Sequence, residues 1–600
     1  MHTVDYLIIG IYLGLIVFIG TYLQKKASRG IDSFFLGNRK LPWWALGASG
    51  MASNTDIGGT MIAVALVYAL GTVGFFIEIR GGVVLVMAFF MIYMGKWTRR
   101  SQVMTAAEWM RFRFGDGRQG DVARILSALA NLIFAIAMIS IFAIGAGKFA
   151  GEFLGIHWKI AALAMATLAM IYTVASGLYG VVWTDVFQGI LIFSAIIYVV
   201  YIAFTTVHLP SEFTTSVPNA DGTFQLITVS LAEWSRALPP VKLDLPGIYS
   251  MYNLFALSLT FYFFKVMIEG GSGGSGYMVQ RYLSARTDRE AGLLSLFWTL
   301  LLMFKWPLVV SVAMLGIHFG IVNTVIPNPE LVLPTVINHF IPVGIKGLLV
   351  AAFIAAAMST FDSTVNAGAA FWVKDLFQGY INPKASGRQL MIHSRVASVV
   401  VVMLGLLLSF SVSNINDIWA WVAMGISAGL LIPQLFRWYW WRFNGYGYAI
   451  GTGAGMLAAI LSRIIGGNIP EHYSFIIASV SSILGCIIGT YLTPKTEFAV
   501  LVNFYNQTRP FGFWKNISRL LPDHYRTRIK RENSRDAVSL FVAIGWQLSL
   551  FLGGMMLIMK RWNNFFIFLI AFIVFSIVLY FNWYRHLSDE VVLDEHGGSA

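Results

Sequence analysis

Residues 47–59 read GASGMASNTDIGG and lie inside an apolar run from Trp43 to Leu70. Four polar residues, Ser53, Asn54, Thr55 and Asp56, sit in a row between the glycines at 47, 50, 58 and 59. Glycine weakens a helix, and serine, asparagine, threonine and aspartate offer the backbone competing hydrogen bonds. A break here frees carbonyl oxygens, which are good ligands for a small hard cation. An unbroken helix whose small residues pack on its neighbours is the alternative. A carboxylate at mid-span favours the functional reading, because charge at that depth marks a path for ions or solutes.

A second run, VAAFIAAAMSTFDSTVNAGAAF from Val350, puts Ala356, Ser359, Thr360 and Ser363 at helical spacing and so on one face. Hydroxyls on one face suit a hard cation such as sodium; small residues at this spacing also serve plain packing. Asp362 and Asn366 lie four apart on an adjoining face. Asp185, in SGLYGVVWTDVFQG, is either a site carboxylate or an acidic residue favoured at a helix N-terminus. Further charges in apolar surroundings are Glu78, Arg80, Lys265, Glu269 and Lys305. Glu78 and Arg80 are two apart, so they do not share a helix face and look to other helices for partners.

The elements that hold these residues are membrane helices. The chain has 600 residues, 57% hydrophobic and 12% charged, against roughly 25% charged in a soluble domain. Fifteen spans are expected, near 5–24, 43–70, 73–95, 124–147, 159–177, 181–206, 250–278, 292–319, 345–373, 394–412, 417–437, 447–465, 473–493, 538–559 and 563–584. Five basic clusters follow spans one, three, seven, nine and thirteen, all odd-numbered. That alternation predicts an external N-terminus and a cytoplasmic C-terminus. It also accounts for the formal charge of +13 without nucleic acid. The single cysteine, Cys486, excludes an intrachain disulfide.

EGGSGGSGYMVQR, residues 269–281, falls within span seven. Alone it reads as a flexible linker. It also opens a second set of five spans (seven to eleven) as residues 47–59 open the first (two to six). Two glycine-interrupted spans at matching positions are the mark of an inverted-repeat transporter with a midplane site.

Five segments, FFLGNRKLPWWALGASGMASN, TAAEWMRFRFG, SGLYGVVWTDVFQ, QRYLSA and AAAMSTFDS, occur in order between about residues 31 and 445. Together they resemble the sodium/solute symporter family, which includes sodium-coupled sugar, proline, pantothenate and sialic acid carriers. The resemblance implies an all-α, polytopic, LeuT-like fold with a five-plus-five inverted repeat. It implies a sodium site made by the Ala52, Thr55 and Ala356 carbonyls with the Ser359 and Thr360 hydroxyls. A second sodium would use Asp185 with Ser359, Asp362 and Ser363. Asn54 falls on the substrate side, and Glu78 aligns with a glutamate that binds sugar in sodium/galactose carriers. Gly59 and Ala423 stand where those carriers have glutamines, Ser275 meets a polar position, Lys305 falls near a lysine, and Asp56 aligns with a serine.

The expected organisation is a first helix and loop (1–40), the ten-helix core (41–441), two added helices (442–493), a basic cytoplasmic loop (494–537), two C-terminal helices (538–584) and an acidic tail (585–600). The expected function is a cell-membrane symporter, not an enzyme, working as a monomer or weak oligomer in a lipid bilayer. Sodium is its coupling ion, and no other cofactor is expected. Its cargo is a small polar solute: a sugar or sugar derivative because Glu78 is kept, or a carboxylate or amino acid because Arg80, Lys265 and Lys305 are available. Asp56 and Arg80 join the candidate substrate set. A transporter-like sensor is the alternative from another class; the 494–537 loop carries no kinase or receiver pattern. An enzyme would need a constellation such as HExxH, and the ten histidines supply none.

Overall fold

The computed structural model describes residues 1–27, 39–81, 85–103, 105, 107–219, 221–274, 276–411, 415–466 and 469–589. Helices dominate, as they must where lipid offers the backbone no hydrogen-bond partner. Helix α1 spans Thr3–Ala27. The first interrupted span is α2 (Trp43–Asn54) and α3 (Ile57–Leu70), followed by α4 (Thr72–Glu78). Two long helices come next, α5 (Arg118–Leu154) and α6 (Trp158–Thr206). The second interrupted span is α7 (Phe255–Ser272) and α8 (Gly276–Leu283). Then come α9 (Asp288–Leu302), α10 (Lys305–Val322), α11 (Ile345–Ala370), α12 (Gly387–Phe410) and α13 (Ser427–Tyr439). The remainder is α14 (Gly445–Gly466), α15 (Glu471–Leu492), α16 (Phe498–Thr508), α17 (Asp523–Ile558) and α18 (Trp562–Asn582).

Both interruptions fall where the glycines predict. In the second, the chain leaves α7 through Gly273 at φ 89° and Gly274 at φ 65°, left-handed conformations that only glycine adopts without strain. GGSGGSG is therefore a helix break inside the protein and not an exposed linker. In the first, Gly50 lets α2 approach α9 closely: a Cβ there would stand 2.4 Å from the Trp298 ring.

Ten of the described helical spans are long and apolar enough to cross a membrane. The first interrupted span falls outside that number because each half is too short alone, 12 residues in α2 and 14 in α3, the latter about 21 Å. α11 lies at the centre, with 94% of its apolar stretch buried, whereas α18 lies at the rim, with 6% buried. α2 packs on α6, α9 and α11, and α3 packs on α5 and α10.

One expectation needs correction. The basic loop 494–537 is largely helical, because α16 lies within it and α17 begins at Asp523. The all-α, LeuT-like class holds, with one small addition. In the loop after α6, strands β1 (Glu212–Pro218) and β2 (Phe224–Ser230) form an antiparallel hairpin in which Pro218 faces Phe224. The signal was the Asp221-Gly222 turn, with Gly222 at φ 83° and the Asp221 carboxylate accepting from the Thr223 amide at 2.9 Å.

Candidate functional site

The two interruptions meet α11 and α13 around a cavity of about 110 Å³. Asn54, Asp56, Gly59, Glu78, Lys305 and Ala423 all line it. Lys265, Glu269, Trp419 and Thr360 join them. The cavity thus gathers six of the eight substrate residues expected from the sequence. Ser275 lies outside the described residues.

Arg80 is the second exception. Its guanidinium turns away to Glu471 Oε2 (2.5 Å), Asn416 Oδ1 (2.5 Å) and the Tyr252 hydroxyl (2.9 Å). Only a 3.7 Å approach to Glu78 Oε1 links it to a cavity residue. Two residues apart, Glu78 and Arg80 project differently, and the buried Glu471 on α15 holds the arginine. Arg80 therefore joins the transport core to the added helices. Removing one partner of a buried ion pair costs about 3–5 kcal/mol. Arg80→Met is expected to lower the melting temperature in detergent strongly. The double variant Arg80→Met/Glu471→Gln should recover part of the loss, since Glu471 is then no longer a buried charge without its partner.

Asp56, which the sequence left without a partner, is the N-cap of α3. Its Oδ2 accepts from the Gly59 amide at 2.6 Å. Gly59 leaves room for this cap, because a Cβ there would lie 2.8 Å from Asp56 Oδ1. The Gly59 amide would otherwise reach back to the Thr55 carbonyl, which accepts no backbone hydrogen bond among the described residues. The pattern Asp-x-x-Gly at the head of an apolar run was the available signal. Asp56→Asn keeps the cap and Asp56→Ala removes it. Alanine is expected to cost about 1 kcal/mol more than asparagine, read as a lower melting temperature.

Of the residues expected to hold sodium, Ser359 and Thr360 touch α2 across the α2–α11 seam. Thr360 Oγ1 donates to the Ser53 carbonyl (2.8 Å) and to the Ala356 carbonyl (3.1 Å). Ala52 and Thr55 stand at the end of α2, where the Ala52 carbonyl accepts from the Thr55 amide. Ser359 Oγ lies 3.2 Å from Ser53 Oγ, and Ser363 Oγ lies 3.0 Å from it. All of these residues are buried. A set of neutral oxygens from two elements fits a hard monovalent cation.

Asp185 lies deeper in the same cluster and has a partner the sequence did not reveal. Arg281, in α8, is fully buried and places Nη2 3.4 Å from Asp185 Oδ2. The same nitrogen lies 2.7 Å from Ser49 Oγ, 2.9 Å from Ser53 Oγ and 3.0 Å from Ser363 Oγ. Ser49 also donates to Asp185 Oδ2. Asp185 is fully buried. The second candidate site therefore already contains one cationic side chain. Asp362 is buried on α11. Arg281 lies in QRYLSA, but one sequence could not show which helix it faces.

A helical bundle built on two interrupted helices, with a polar cavity between them, defines a membrane transporter of LeuT-like fold. A solved Na+-coupled sialic acid symporter shares the fold at TM-score 0.63 and 20% identity, over 83% of this chain and 99% of that one. The chain belongs to the sodium:solute symporter family, whose model matches residues 34–455. Its relatives include the sodium/glucose cotransporter of Vibrio parahaemolyticus, 24% identical over 78% of this chain and 86% of the relative. The sodium/sialic acid symporter SiaT of Proteus mirabilis (strain HI4320) is 24% identical over 83% of this chain and 97% of the relative.

Proposed function

We propose that this protein is a cell-membrane importer that couples inward sodium flow to uptake of a small hydroxylated solute, a sugar or sugar derivative. One observation carries the choice of solute. On the cavity wall, Glu78 Oε1 as an acceptor and Trp419 Nε1 as a donor keep unused hydrogen-bonding capacity among the described residues. A hydroxyl both donates and accepts, so a polyol satisfies both. The aromatic walls Trp419, Phe134 and Phe142 suit the apolar face of a sugar ring. Relatives named for glucose and sialic acid transport agree with this class. A carboxylate or amino acid is the second reading, favoured by Lys305 and Lys265 on the same cavity. Lys265 is engaged by Glu269 at 2.6 Å, and Lys305 donates to the Asn54 carbonyl at 3.1 Å, so both ammonium groups have partners.

Sodium would be held by Ala52, Thr55, Ala356, Ser359 and Thr360, across the seam between α2 and α11. Asn54 borders the cavity next to that seam, so solute and ion share one helix break. Coupling then follows from linkage: each ligand raises the other's affinity by the same factor. The N-terminus is external and the C-terminus cytoplasmic, as the charge alternation requires. The protein acts as a monomer or weak oligomer. A sensor built on the same fold would bind solute without moving it.

A thermal-shift screen of sugars, sugar acids, amino acids and carboxylates, in sodium and in choline, tests the solute class. A sugar or sugar derivative is expected to raise the melting temperature only in sodium. Stabilisation by amino acids alone would select the second reading.

A further inference from the structure

A larger cavity, of about 600 Å³, lies away from the transport site. It opens on the side that carries the arginine-rich segments. Its walls come from the core (Lys96, Arg100, Asp288) and from the segments beyond it, chiefly α17. Along α17, His524, Arg528, Arg531 and Arg535 recur at spacings of four, three and four, and so form one face toward the cavity. Arg509 and His586 complete the basic lining.

The charges in this cavity do not balance. Lysines and arginines number six (Lys96, Arg100, Arg509, Arg528, Arg531, Arg535) against three carboxylates (Asp288, Glu532, Asp536). The carboxylates are engaged by the two core cations. Lys96 Nζ is 2.7 Å from Glu532 and 2.6 Å from Asp536. Arg100 is 2.8 Å from Asp288 and 3.0 Å from Glu532. No carboxylate lies within ion-pair distance of Arg531 or Arg535 among the described residues. Ion pairing therefore fixes the floor, and Arg531 and Arg535 keep guanidinium charge that no carboxylate of the described residues pairs.

Five of the six cations are arginines, whose planar fork matches phosphate oxygens in paired hydrogen bonds. The C-terminal segment closes one side: the Arg289 amide donates to the Ser588 carbonyl at 3.1 Å, and Trp583 lines the wall. The cavity is thus walled and not an open basic surface. We propose that it is a binding site for a phosphate-bearing anion, either a soluble polyphosphate or the headgroup of an anionic phospholipid. Such a site gives α17 and the segment after α18 a role beyond the transport core.

The test uses the purified full-length protein in potassium buffer, without sodium or solute, so its outcome is independent of the transport reading. One arm titrates potassium tripolyphosphate in detergent by calorimetry. The other compares melting temperature in nanodiscs of phosphatidylcholine alone and of phosphatidylcholine with phosphatidylglycerol. Wild type is expected to respond in at least one arm. The variant Arg528→Gln/Arg531→Gln/Arg535→Gln, shown folded by gel filtration and by its unliganded melting temperature, should lose at least about tenfold in affinity or the whole lipid-dependent shift. Tripolyphosphate binding in detergent assigns the site to a soluble anion. A phosphatidylglycerol shift without tripolyphosphate binding assigns it to a headgroup. No response in either arm, or a response the triple variant retains in full, overturns the proposal.

Discussion

Replacing Ser359 and Thr360 together by alanine is expected to remove sodium activation of uptake. Each change deletes a buried hydroxyl from the α2–α11 seam, and Thr360 also loses its bonds to the Ser53 and Ala356 carbonyls. A hydrogen-bonding group that faces a charge contributes about 1.5–3 kcal/mol, so the pair should cost about a hundredfold or more in apparent sodium affinity. The check is initial uptake rate against external sodium. Unchanged sodium activation would remove both residues from the site. A lower maximal rate with normal sodium affinity would mean that they serve packing.

The second large effect is expected at Arg281. Arg281→Gln leaves Asp185 buried with no cationic neighbour, a change that costs about 3–5 kcal/mol when one partner of a buried pair is removed. Protein yield and melting temperature should fall sharply. Adding Asp185→Asn should restore much of the stability, because neither charge then remains. Transport separates the roles of Asp185. If the wild type moves two sodium ions per solute, Asp185→Asn should change that ratio by removing the second cation ligand. A ratio of two that persists in the variant would leave Asp185 as the counterion of Arg281 alone.

How much of this was legible in the sequence differs from residue to residue. Gly273 and Gly274 announced their break because positive φ is a local demand that one residue type meets. The face shared by Ala356, Ser359, Thr360 and Ser363 followed from helical period alone. The cap at Asp56 was equally local, yet its charge drew attention to ligands and away from the backbone. The Asp221-Gly222 turn, likewise local, marked a hairpin inside a loop expected to be external. Arg80 and Arg281 were of another kind. Their partners, Glu471 and Asp185, lie 391 and 96 residues away in sequence. Helix spacing excluded Glu78 as the main partner of Arg80 but could not name the helix that supplies one.

Sodium-driven uptake in proteoliposomes tests the central claim most directly. Protein reconstituted into sodium-free vesicles would be given the labelled solute chosen by the thermal-shift screen, with sodium added outside. An inward sodium gradient is expected to drive transient accumulation above the external concentration, and a sodium ionophore should abolish the overshoot. Uptake that only equilibrates, or that proceeds equally in choline, would contradict sodium-coupled symport.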